Sequence, residues 1–271
     1  TAINYVQQLV TEFGTFRDKV IQLSGETGES LDNVVVKIDS ISKTFGREND
    51  EVLTATKNLA QQYSISFEEA ATLIEQGFQR GADASGNFLD IISEYPAQFR
   101  AAGLTASDFV DAATANELLG FYNDKGVDAI KEFGLSVREQ TKATQEAFQK
   151  AFGIEFADDF FKQINQGTLS AGEGIEVFVN KIRESNLPIK EQQTLIADVF
   201  RGAGEDAGIL SEVGLQYLET ITDMRNGTLE LTKEQEAYLE RTNNLQEANE
   251  RLSTAKNELT KRLVDESGAF N

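Results

Sequence analysis

The chain of 271 residues contains no cysteine, no histidine and no tryptophan, and it holds only two prolines and one methionine. Without thiols or imidazoles there are no disulfides, no thiolate nucleophiles, no imidazole bases and none of the usual zinc ligands. Carboxylates, hydroxyls, Lys, Arg and Tyr are what remain for chemistry. Scarce proline argues against a sandwich or barrel, whose turns consume it, while plentiful Ala, Leu, Glu and Gln favour helices. No apolar run of about 18 residues is present, so this segment is not expected to insert into a membrane. The opening TAINYVQQLV has neither an initiator methionine nor a signal-peptide core, and the chain reads as an internal piece of something longer.

Positive charge is short as well: 25 Lys and Arg stand against 45 Asp and Glu, a net charge of −20. The first term in contact with nucleic acid or an anionic membrane is a basic patch, and none is visible, so no strong nucleic-acid binding is expected. With 40 % hydrophobic and 26 % charged residues the composition is that of a folding chain, and its length can bury one sizeable core or two modest ones.

What is present is helical periodicity. Ile3, Val6, Leu9, Phe13, Phe16, Val20 and Leu23 recur at steps of three and four, which predicts one amphipathic helix over 2–24. Leu31, Val34, Val35, Ile38 and Ile41 predict a second over 29–45, although the Val34-Val35-Val36 run alone would suggest a strand. Short helices with legible starts follow. Ser66 with Glu69, Thr105 with Asp108, Ser136 with Glu139 and Thr232 with Gln235 each have the spacing of a capping box, and Pro188 suits a first helical position. Glycine clusters, including Gly81 and Gly86 and later Gly202, close the intervening elements.

Two stretches echo one another. SFEEAATLIEQGFQRGADASG (66–86) lies over PIKEQQTLIADVFRGAGEDAG (188–208), sharing a glutamate, Thr-Leu-Ile, a phenylalanine and a Gly-Ala step. Each is preceded by a predicted helix, 47–62 and 170–185, so the expected unit is a helical hairpin ending in a glycine-rich turn. Towards the end, Tyr238, Leu245, Leu252 and Leu259 recur every seven residues, with Ala248 and Ala255 three beyond two of them, as in a coiled-coil seam. Residues 229–263 balance seven acids against six bases, so the acidic excess belongs to what precedes them. The expected organisation is N-terminal amphipathic helices over 1–46, a hairpin body over 47–227 and a coiled-coil arm over 228–271. The seam suits folding back on the body and self-association between chains alike.

Three stretches carry the residue types of a known chemistry. Asp83, Ser85, Asn87 and Glu94 have roughly the spacing of a calcium loop, but Phe88 stands where such a loop turns on glycine. Asp83–Pro96 reads better as helix punctuation, with Asn87 or Ser85 as the next cap. Glu184-Ser185 and Gly214-Leu215-Gln216 faintly resemble wall-cleaving transglycosylase elements, yet Glu184 sits at a hydrophilic helix end, without the apolar surroundings a general acid requires, and the methionine of the second element is absent. NDKGVDAIKEFG (123–134) lacks phosphate-loop spacing and reads as a turn feeding a helix capped by Gly134. Phe109, Phe121, Phe133, Phe148, Phe152, Phe156, Phe160, Phe161 and Phe178 read as core, since nothing basic interleaves them. No catalytic, cofactor-binding or metal-ligating residue is assigned; the residues singled out are structural, Ser66, Gly81, Gly86, Pro188, Gly202, Leu245, Leu252 and Leu259.

With FEEAATLIEQGFQRGADASGNFLDIISEYPAQFRAAGLTASDF, FYNDKGVDAIKEFGLSVREQTKATQEAF and LIADVFRGAGEDAG in view, much of 47–210 resembles the tape measure proteins of tailed phages. The resemblance implies an all-α, non-enzymatic structural segment that occupies the tail-tube lumen, helps set tail length and leaves with the DNA. It implies tail-tube, tail-tip or baseplate, and tail assembly chaperone proteins as partners, and a place in the virion tail after assembly in the host cytoplasm. A peptidoglycan-cleaving domain and a helical module of a bacterial secretion or surface system are the alternatives.

Overall fold

The computed structural model describes the backbone of residues 2–120, 125–206 and 212–268, and within these the side chains of 4–120, 125–201 and 214–263. Among the described residues every regular element is a helix. The chain divides into two compact units, Thr1–Arg80 with Leu231–Asn271, and Gly81–Glu230.

The first unit contains α1 (Ala2–Ser24), α2 (Gly28–Phe45), α3 (Asn49–Tyr63), α4 (Phe67–Gln79) and α14 (Lys233–Gly268). Helix α2 is its axis, packing against α1, α3, α4 and α14. That position explains the valine run: Val34, Val35, Ile38 and Ile41 are fully buried, because packing on four neighbouring helices leaves α2, beyond its exposed first turn, a wide buried face and a narrow exposed one at Asn33 and Lys43. Ser66 caps α4 by accepting the Glu69 N–H at 3.0 Å. Phe45 at the end of α2 stacks on Phe78 of α4, ring centroids 4.7 Å apart.

In the second unit lie α5 (Phe88–Glu94), α6 (Pro96–Ala101), α7 (Ala106–Leu118), α8 (Lys125–Glu139), α9 (Lys142–Phe152), α10 (Ile154–Gln166), α11 (Ala171–Ser185), α12 (Ile189–Asp206) and α13 (Glu212–Asn226). Helix α8 packs against α6, α7, α10, α11 and α12. Its Phe133 meets Phe178 of α11 and Phe200 of α12, and Phe148 of α9 touches Phe152, Phe160, Phe161 and Phe178, so aromatic edges and faces knit this core. Phe121 lies outside the described residues.

Several local expectations differ from what forms. Ser136 caps nothing: it is buried inside α8, which runs on through Glu139. Gly134 ends no helix either. A Cβ there would stand 2.7 Å from the Ala102 carbonyl oxygen, so this glycine lets α8 approach the end of α6. Pro188 sits one residue before α12, its carbonyl accepting the N–H groups of Glu191 and Gln192. The two echoing stretches become α4 and α12, but only α4 pairs with the helix before it; α12 packs chiefly on α8 and α9, drawn by Phe200 into the aromatic core. The expected division at 46 and 227 is also not the one observed, since α14 shares a unit with α1–α4 and the hairpin body is cut after Arg80.

Candidate functional site

The surface with the least ordinary chemistry belongs to α14. Thr232 and Gln235 start it with a reciprocal cap, the Thr232 hydroxyl accepting the Gln235 N–H at 3.2 Å and the Gln235 side chain accepting the Thr232 N–H at 2.9 Å. The helix then lies along α2, and the face it buries is polar: Thr242, Gln246, Ser253, Asn257 and Thr260. Gln246 donates to Ser40 at 2.9 Å and Asn249 to Thr44 at 3.0 Å. The Asp39 carboxylate, 3 % exposed, accepts from Ser253 at 2.6 Å, Lys256 at 2.9 Å and Asn49 at 3.1 Å. A second node joins three helices, with Arg17 of α1 and Lys261 of α14 both on Asp32 of α2, at 2.6 and 2.5 Å, and Arg17 also donating to Asn257 at 2.7 Å.

Burial alone would raise these two carboxyls, but their hydrogen bonds win. Asp32, met by Lys261, Asn257 and Arg17, is held at about 2, and Asp39 is lowered by Ser253, Lys256 and Asn49 together with the Lys256 charge. A buried ion pair roughly breaks even against apolar packing of the same volume, whereas removing one partner is costly. This contact therefore fixes the rotation of α14 on α2 more than it supplies adhesion.

That rotation turns the heptad seam outward. Leu245, Leu252 and Leu259 are 46, 53 and 39 % exposed, and Ala248 and Ala255 are exposed beside them. An amphipathic helix folded back on its body ordinarily does the reverse. Leu252 also borders an open groove of about 710 Å³ lined by Tyr5, Leu9 and Phe13 of α1 and by Asp39 and Lys43 of α2. Periodicity could not reveal the polar contact, because it counts apolar positions. The available signal was Asp39-Ser40, a polar pair set between Ile38 and Ile41 of the apolar face of α2.

The remaining singled-out residues mark corners. Gly81 and Gly86 both take φ of 88°, open to glycine without strain. Three of the four candidate cation ligands beside them, Asp83, Ser85 and Asn87, are engaged with the protein itself. Asp83 accepts the Phe88 N–H at 3.2 Å and so caps α5, Ser85 donates to Glu117 at 2.7 Å, and Asn87 donates to Ser85 at 3.3 Å. Asn87 holds the N-cap position of α5 without a side-chain cap bond, and the carboxylate that meets the first turn comes from Asp83. Gly202 belongs to the end of α12, where its surroundings lie outside the described residues. Just before it, Arg201 takes φ 55° and ψ −155°, and its guanidinium reaches Glu132 at 3.3 Å and Glu139 at 2.5 Å. Glu184 is exposed at the end of α11 beside Lys181, 3.7 Å away. Among the described residues no group of three or more Asp or Glu is placed to hold a metal ion, and no described helix is long and apolar enough to cross a membrane.

Packed helices, corner-forming glycines and an outward-facing apolar seam define, among the described residues, an all-helical protein. Residues 8–239 match the family described as phage-related minor tail protein, spanning most of the chain. The chain belongs to that family, and its role is structural, in the phage tail. Comparison with curated proteins and with solved structures yields no match.

Proposed function

We propose that this chain is a non-enzymatic segment of a tail tape measure protein, which helps set tail length, occupies the tube lumen and leaves with the DNA. The observation that carries the reading is family membership over 8–239, joined to the tape-measure-like phrasing of much of 47–210. The net charge of −20 favours it, since a protein sharing a tube with passing DNA gains from not gripping phosphates. Tail-tube, tail-tip or baseplate, and assembly chaperone proteins are the partners this role requires, in the host cytoplasm during assembly and in the virion afterwards.

The test is genetic. An in-frame duplication of residues 81–230 in the phage lengthens the tail, by roughly 220 Å if the inserted segment runs as helix at about 1.5 Å per residue. Tails of unchanged length in electron micrographs overturn the proposal.

A further inference from the structure

We infer that the exposed seam of α14 is the contact surface for a second copy of this chain, paired antiparallel. The inference is independent of the tail assignment, because it rests on the register and charges of one helix.

With Leu245, Leu252 and Leu259 as the first core position of each heptad, Ala248 and Ala255 occupy the second. One flank of the seam is already used: Thr242 is buried, Asn249 is bonded to Thr44, and Lys256 is held by Asp39. On the other flank Arg251 and Glu258 face solvent, and among the described residues the ion pair of Arg251 is a 3.7 Å contact to Glu247 on its own helix.

The two orientations then differ in sign. A parallel pair brings Arg251 against the partner's Lys256, two cations, one of them committed elsewhere. In an antiparallel pair the free flank meets its own symmetry mate. With Leu252 opposite the partner's Ala255, Arg251 falls beside the partner's Glu258 and Glu258 beside the partner's Arg251. The same register sets Leu259 against the partner's Ala248, so each large side chain meets a small one and the helices can approach closely. Leu245 meets the partner's Arg262, whose aliphatic stem can cover it while its charge stays in water.

Sedimentation equilibrium of the intact chain, at loadings up to about 200 µM, shows a reversible dimer. A chain that stays monomeric throughout overturns the inference. Leu252→Glu removes the dimer while leaving the helical circular dichroism unchanged, as expected for a side chain outside the core; persistence of the dimer overturns it. Orientation is read from charge. Arg251→Glu weakens association about tenfold, because two symmetry-related pairs become repulsive together, and adding Glu258→Arg restores it to within about twofold. Parallel pairing predicts the opposite, since Arg251→Glu would then relieve a repulsion and tighten the dimer. The absence of native cysteine allows a direct check. Leu245→Cys chains mixed with Arg262→Cys chains form the mixed disulfide on oxidation, whereas Leu245→Cys chains alone do not cross-link, their thiols lying about 25 Å apart along the axis. Efficient cross-linking of Leu245→Cys alone overturns the antiparallel assignment.

Discussion

Asp39 is the residue on which the seating of α14 turns, with three donors on one carboxylate that is nearly inaccessible to water. Asp39→Ala leaves Lys256 without its buried counter-charge and is expected to cost about 3 kcal/mol in denaturant unfolding. Acid should act on the same contact. Asp32 and Asp39 both have lowered folded-state pKa values, so their contribution is fully present above the unfolded value near 3.8 and is lost as pH falls through the folded one. Unfolding curves should therefore show a decline between about pH 4 and pH 2 that is reduced in Asp32→Asn. Close approach governs a different position. Gly134→Ala gains helix propensity but drives a methyl into the Ala102 carbonyl, and a net loss of about 1–3 kcal/mol is expected. Equal or greater stability would mean that the approach of α8 to the end of α6 is looser than described.

Helices α1, α2, α3 and α11 are legible in the sequence nearly to their ends, because apolar spacing and caps act within one or two turns. Thr232→Ala should cost about 1 kcal/mol by removing the start of α14. Ser136 and Gly134 depart from the local pattern for a single reason: a hydroxyl followed by an acid, or a glycine after an apolar run, marks a helix end only if the chain turns there, and α8 instead continues between packed neighbours. Helix α12 adds a conflict that local rules do not foresee. Arg201 occupies backbone space suited to glycine while its side chain reaches two glutamates. Arg201→Gly is expected to be about 1 kcal/mol more stable than Arg201→Ala, since both lose the ion pairs but only glycine relieves the backbone. Thermal melts of the two variants decide this, and the reverse order would remove the claim of strain.

For the molecule as a whole, charge and the choice of buried face matter most. The excess of acids predicts no retarded complex with duplex DNA in a gel-shift assay at about 0.15 M salt. A tight complex would remove one support for placement in the tube. The leucine seam, readable from its seven-residue repeat, carries no information about whether it turns inward or outward. Only the network from Asp32 and Asp39 to α14 decides that.

Composition and periodicity by themselves determined an all-helical, acidic chain with no thiol or imidazole chemistry, and the phrasing of 47–210 pointed to tail proteins. Those properties are local or additive, so one strand of letters suffices to carry them. Which helices share a core was decided only in the tertiary structure. Residues 39 and 256 are far apart in the chain and neither is apolar, so no pattern along the sequence links them; they meet because a buried carboxylate must find its donors wherever the fold brings them.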